Sequence, residues 1–510
     1  MQNIDAVKVR MYRHGFGDCF LIRYYTNGEV TFKMLIDCGL KHNDSVAGVS
    51  IQDVVDDIAG EVAVDKGGEQ VPQLDVLVIT HEHWDHVSAF KPERALFDHF
   101  DIDNIWMAWT ENPKDDVAQQ INAHLLENIA ALKVASTKLA ALREEKKNNG
   151  FFNTSFGGAQ LLKVREDYDR TLNSLLEFHG PLAATIETPS GIEIKDNFKI
   201  SVETQKAFDH IKNTLAKNKS AIKYYEPGKI IERKDLPGIR IYVLGPPKSA
   251  QLNQDAPSKG AGKEVYFSLS DTNTAGFVKG VLKMAGVSQG FDDGSPFGNA
   301  QGIPVDSAKH MSFFSNGYYH PDESWRNIDE DWLDVAGALA LQMDNDTNNT
   351  SLALAIELVD SGKILLFPGD AQVGNWLSWH DHVWKVKEGT KTKDVTAIDI
   401  LGKTVFYKAG HHASHNATLK ELGLEMMVDD NLVIFIPEKE KQYNGIPYNH
   451  LVDRMYEQAK GRVLFSADSN FPPQDTLDNK PSGISKKEWD MFKNNITLTD
   501  TFIEYTIDNV

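Results

Sequence analysis

Within the stretch THEHWDH, His81, His83, Asp85 and His86 bring three imidazoles and a carboxylate onto six consecutive residues. Neutral imidazole is the commonest ligand of zinc-class metals and carboxylate a good oxygen ligand, so four such groups on one tight loop can converge on metal. On extended backbone, residues i and i+2 point the same way, which pairs His81 with His83, and the following turn aims Asp85 and His86 at a neighbouring point. That spacing favours two adjacent metals. A solvated polar loop is the bland alternative, and for a lone histidine it would be the better one. Two later segments weigh against it: FPGDA (367–371) places Asp370 on a Gly-assisted turn, and AGHHASH (409–415) presents His411, His412 and His415.

Each of these segments ends an apolar run. LDVLVIT (74–80) reads as a buried strand that stops at the histidine cluster, where an α/β sheet tends to place its chemistry. Residues 7–13, 18–25 and 31–37 read as a strand meander, broken at Gly15-Phe16-Gly17 and Asn27-Gly28. Further strand-like runs are 191–202, PGIRIYVLG (237–245), SLALAIEL (351–358), KILLFPGD (363–370), TVFYKAGHH (404–412), NLVIFIP (431–437) and RVLFSAD (462–468). Between them, helical spacing runs from Pro113 to Asn148 and from Leu161 to His179, and 248–320 is loop-rich.

In this order the motifs resemble those of the metallo-β-lactamase-fold hydrolases, and within them the ComEC-type branch. HGFGDCFLIRY (14–24) is similar to that branch's opening turn, and MLIDCG (34–39) to the Asp-bearing strand before the metal loop. NNTSLALAIEL, ILLFPGDA and KAGHHASHNAT look like its later motifs, with Ala413 where a glycine is common. The resemblance implies an α/β fold, a metallo-β-lactamase-like αββα sandwich with a large, mainly helical insertion. Residues 1–110 and 335–510 would be two halves of one catalytic domain and 111–334 an inserted helical and loop-rich module, a lid or docking surface for a protein partner, or simply an outer addition. Carried over residue by residue, it implies His81, His83 and His411 on one metal, Asp85 and His86 on the other, and Asp370 bridging, with Asp37 bracing the loop. Asp85, Asp370 and His411 would then serve catalysis directly. His412 competes with His411, which is favoured because it comes first after the strand, and His415 is a further alternative. The fold's additional histidine between the loop and the bridging aspartate has no clear counterpart; His310, His320, Asn349 and Ser351 are the candidates.

The expected cofactors are two divalent ions, zinc by default, with Mn²⁺ or Fe²⁺ accepting the same ligands. A dinuclear centre supplies a hydroxide nucleophile near neutral pH and stabilises charge on the attacking and leaving oxygens. The first expectation is a phosphodiesterase or nuclease. The second is a hydrolase of a lactam, lactone or thioester, and the third a metal-stabilised regulatory or binding protein without turnover. Composition narrows these: 53 Lys+Arg against 73 Asp+Glu leave a net charge of −20, which repels nucleic acid and anionic membrane except at a local site. Small phosphodiesters therefore fit better than long polyanions. Two cysteines, Cys19 and Cys38, are too few for a disulfide framework. With no apolar leader and no membrane-length run, a cytoplasmic protein is expected.

Overall fold

The pattern of the first strand shows how this sequence becomes structure. In Ala6–Tyr12, Val7, Val9 and Met11 alternate with Lys8 and Arg10, so one face is apolar and the other charged. The apolar face enters the core. On the other face the Arg10 guanidinium donates to Asp57 (2.6 Å) on the helix Ile51–Val62 and to Glu504 (2.9 Å) on the strand Phe502–Asp508. Ser50 starts that helix with a capping box, its hydroxyl accepting from Asp53 N while the Asp53 carboxylate accepts from Ser50 N. The computed structural model describes residues 4–41, 48–126, 128, 129, 132, 176–179, 203–248, 303, 305–318, 320, 344–439, 446–467 and 472–509.

Two large sheets carry the fold. The first has eight strands, in the order Ile496–Leu498, Phe502–Asp508, Ala6–Tyr12, Cys19–Thr26, Glu29–Cys38, Val76–Val78, Ile105–Ala108 and Ile222–Tyr225. The second has seven: Ile230–Arg233, Leu236–Gly245, Ala353–Leu358, Lys363–Phe367, Thr404–Lys408, Val433–Lys439 and Val463–Ala467. In each, one half pairs antiparallel and the other parallel. Ile22, Met34 and Val78 of the first sheet share one apolar cluster with Ile241, Ile356, Leu365 and Phe406 of the second. Helices cover the outer faces. Val54, Val55 and Ile58 pack over Leu21, Leu35 and Leu77, and Trp376, Ile400 and Leu451 over Leu366, Tyr407 and Ile434. The chain is thus a mixed α/β protein built on mixed sheets. Cys19 and Cys38 are buried, free, and directly opposite each other across two strands.

The parallel halves aim three chain segments at one place. Val76–Val78 leads into the His81–His86 loop, Lys363–Phe367 into Gly369-Asp370, and Thr404–Lys408 into the turn Gly410–Ala413. Carboxyl ends of parallel strands are where α/β sheets collect functional groups.

Three strands fall inside the segment expected as an insertion. Ile222–Tyr225 closes one edge of the first sheet, while Ile230–Arg233 and Leu236–Gly245 belong to the second, where Leu236–Gly245 pairs with Ala353–Leu358. Residues 222–245, inside the stretch 111–334, are therefore integral to the two sheets. Within the expected helix at 113–148, residues 116–126, 128, 129 and 132 are helical, and the remainder from 127 to 148 lies outside the described residues. At 176–179 the chain forms the short turn Glu177–His179; the rest of the expected helix from Leu161, the run 191–202 and most of 248–343 lie outside the described residues. Among the described residues no helix is long and apolar enough to cross a membrane.

Candidate metal centre

The loop after Val78 is held by one aspartate. Asp37, with φ of 54°, accepts from Thr80 N (2.8 Å) and Thr80 Oγ1 (2.6 Å), and its Oδ2 lies 2.8 Å from His86 Nδ1. Because the Thr80 hydroxyl gives its proton to Asp37, it can only accept from His81 Nδ1, 3.1 Å away. Both rings are thereby set, by inference from the network, as tautomers with a bare Nε2. His412 follows the same logic, its Nδ1 against the Pro437 carbonyl and its Nε2 2.9 Å from Asp85 Oδ2.

Asp370 completes the set. Its Oδ1 accepts from Lys408 Nζ (2.9 Å) and from the backbone N–H of His411 (2.9 Å), and its Oδ2 is left facing His86 Nε2 at 3.1 Å. The ligand atoms of Asp85, His86, Asp370 and His412 all lie within 4.8 Å of one another and all four residues are buried, so this group could hold a metal ion. Two bare imidazole nitrogens facing carboxylate oxygens at about 3 Å repel unless a cation or proton stands between them. Further atoms point the same way: His81 Nε2, both ring nitrogens of His83, Asp85 Oδ1 and Asp344 Oδ1 are buried without a hydrogen-bond partner. Each such atom costs about 1–3 kcal/mol, and orphans concentrated in one spot are what a bound cation relieves.

Burial drives the histidines apart in charge. It pushes His81 and His83 well below the usual imidazole range and His411 down to about 4, keeping all three neutral. His86 goes the other way: burial opposes its charge, but Asp370, Asp18, Asp37 and Asp85 outweigh that and hold it well above the usual value. Asp370, which burial alone would raise, is held well below the carboxylate range by Lys408 and His86. Asp85 is likewise brought to about 2 by His86 and His412 against its burial. Asp344 has no such partner, and burial lifts it to about 7 despite Lys41.

Of the two adjacent histidines, His412 rather than the expected His411 lies in the group with Asp85, His86 and Asp370. His411, His412 and Ala413 all have positive φ (43°, 50° and 60°), and this left-handed turn carries the second histidine, not the first, onto Asp85. His411 serves Asp370 through its N–H, and its ring meets Gln372 Nε2 at 3.2 Å. His415 lies beside Tyr448, apart from the cluster. Asn349 is a bracket, its Oδ1 accepting from Gln372 N and Asn375 N (both 3.2 Å), and Ser351 Oγ accepts from Asp370 N (3.0 Å). His310 is exposed and His320 half-buried, and neither is among the groups brought together.

Sequence reasoning missed four contributors. His179 is buried with its ring 5.2 Å from that of His83, placed there by the turn Glu177–His179. Nothing local marked it, because a single histidine at the end of an apolar helical pattern has no spacing signature. Asp18 and Lys408 form a buried pair (2.5 Å) that anchors Asp370; both lay within quoted motifs, without an assigned role. Asp344 stands 3.8 Å from His83 Nε2. Phe178 covers His83, Phe16 packs on His412 at 3.9 Å, and the Lys41 ammonium sits 2.8 Å from the centre of the Phe178 ring. No protein-family model matches the chain, and no curated protein matches it.

Proposed function

We propose that this chain is a metal-dependent hydrolase with a dinuclear centre in a metallo-β-lactamase-like αββα sandwich, acting on phosphodiesters. The observation that carries the reading is the convergence of Asp85, His86, Asp370 and His412 beside the orphaned nitrogens of His81 and His83. Asp85, His86, Asp370 and His412 would hold one ion, and the orphaned nitrogens of His81 and His83 beside them would draw on the other. Zinc suits the imidazole-rich set, with Mn²⁺ the alternative. Bound divalent ions would lower the pKa of an attacking water and polarise the scissile group.

The chain's own residues do the rest. Asp37 and Thr80 hold the rings of His81 and His86 in ligating tautomers, and Lys408 occupies Asp370 Oδ1 so that Oδ2 is the oxygen offered. Phe16 and Phe178 keep bulk water off the loop, which strengthens every charge interaction inside. The choice of phosphodiesters rests on the motif resemblance. Within that class, the buried ligands and the net charge of −20 favour a small substrate over nucleic acid.

Purified protein loaded with Zn²⁺ or Mn²⁺ should cleave bis-p-nitrophenyl phosphate, and Asp85→Ala or Asp370→Ala should drop to background. Hydrolysis of nitrocefin or a lactone instead would move the assignment to carbon-centred bonds. Full activity in either variant would overturn the metal site itself.

A further inference from the structure

We propose that the acidic pocket behind the 81–83 loop is a binding site for a small organic cation, an alkylammonium or alkylguanidinium group, separate from the metal centre. The pocket holds about 70 Å³, room for several water molecules or for an ionic head of that size. Its walls include the carboxylates of Glu82, Glu111 and Asp346, the amide of Asn128 and the aliphatic side chains of Ile121 and Leu125. None of Asp85, His86, Asp370 and His412 is among the described residues that line it.

The donors around this pocket are already spent. Thr204 Oγ1 donates to Glu82 Oε1 at 2.9 Å, and Lys212 Nζ donates to the Glu111 carbonyl (3.4 Å) and to Glu111 Oε2 (3.1 Å). Asn122 Nδ2 donates to the Thr110 carbonyl (3.1 Å), and Thr350 Oγ1 to the Thr347 carbonyl (2.6 Å). What remains for the cavity is acceptors. Asn128 is 5% exposed, and its Oδ1 is buried without a hydrogen-bond partner. Glu82 and Glu111 are buried as well, so water screens their charge poorly. No lysine or arginine is among the described lining residues.

These acceptors fit nitrogen donors better than a bare metal. Glu82, Glu111 and Asp346 do not form one of the metal-sized groups of ligand atoms, whereas an ammonium or guanidinium head carries several N–H donors that reach acceptors set further apart. Ile121, Leu125 and Asn128 are spaced i, i+4 and i+7, which puts them on one helix face. That face offers an apolar wall to the alkyl chain and the orphaned oxygen to its head, the same division of labour by which lysine and arginine stems lie on apolar surface.

The test titrates the full chain with butylammonium and with butylguanidinium by isothermal calorimetry, and with 1-butanol as the neutral counterpart, so the readout is binding and needs no turnover. The cations are expected to bind at least about tenfold more tightly than butanol. Asn128→Leu, which replaces the acceptor by an aliphatic group of similar size, and Asp346→Asn, which removes a charge, should each weaken cation binding about tenfold. Asp430→Asn removes an exposed carboxylate elsewhere, one paired with Lys460, and should leave it unchanged. Butanol binding as tightly as the cations would make this an apolar cavity only. Cation affinity that survives both pocket variants, or falls equally in Asp430→Asn, would mean attraction to the net charge of −20 alone, and the proposal would be overturned. Wild type that binds neither cation would overturn it too.

Discussion

An imidazole whose Nδ1–H is spent on a carbonyl has only Nε2 to offer, and that separates two adjacent histidines. His412 has its Nδ1 on Pro437 and its Nε2 on Asp85, whereas His411 turns its ring to Gln372. Accordingly, His412→Ala should lose one ion per chain while His411→Ala keeps both, which elemental analysis after dialysis reads directly. The reverse pattern would reinstate the first histidine. Glu82, lying between two of the proposed ligands, points the other way and accepts from Thr204 Oγ1 at 2.9 Å. Burial first and then the neighbouring Glu111 push it up to about 8, against Thr204 and Lys212. A carboxyl whose folded value is raised stabilises fully below its unfolded value of 4.5, and that contribution is lost as pH climbs toward 8. Glu82→Gln should therefore match wild type near pH 4.5 and exceed it by a few kcal/mol near pH 9. Parallel melting curves across that range would show Glu82 to be an ordinary carboxylate.

Strands were legible in this sequence because their apolar runs end where the chemistry begins. Val76–Val78, Lys363–Phe367 and Thr404–Lys408 all lie within runs so identified, and each delivers a motif to the centre. What the pattern could not carry was close approach and backbone handedness. The choice between His411 and His412 depends on three successive left-handed residues, which residue identity does not announce, and Ala413 takes φ of 60° without being glycine. The strands Ile222–Tyr225 and Ile230–Arg233 escaped because four residues with mixed burial leave almost no period to detect. Close approach is sharpest at Gly39, where a Cβ would lie 2.2 Å from the Asp85 carbonyl carbon and 2.4 Å from His86 N. Gly39→Ala must push the loop aside, so it should abolish metal uptake although residue 39 contacts no ion, while far-UV circular dichroism stays that of a folded α/β protein. Normal metal content in that variant would mean the loop yields without cost.

Across the whole molecule the proposed centre draws on distant parts of the chain: Asp37, the loop 81–86, Asp370 and His412, with His179 and Asp344 beside His83. His179 was illegible for that reason, since its role depends on which turn the fold sets beside His83. A ligand set drawn from separate segments makes metal binding and their docking one equilibrium, because an ion that binds only the assembled form stabilises by RT ln(1 + [L]/Kd). At free metal about 100 times Kd this is about 2.7 kcal/mol. Removing metal with a chelator should then lower the melting temperature by a few degrees and raise amide hydrogen exchange at residues 80–86, 177–179, 344–350 and 409–413. The pair Ala6–Tyr12 and Phe502–Asp508, held by their own ladder and by Arg10 to Glu504, should exchange at an unchanged rate. Equal protection of all four segments with and without metal would show that the centre is held by packing alone, and that the orphaned atoms of His81, His83 and Asp344 are tolerated rather than satisfied.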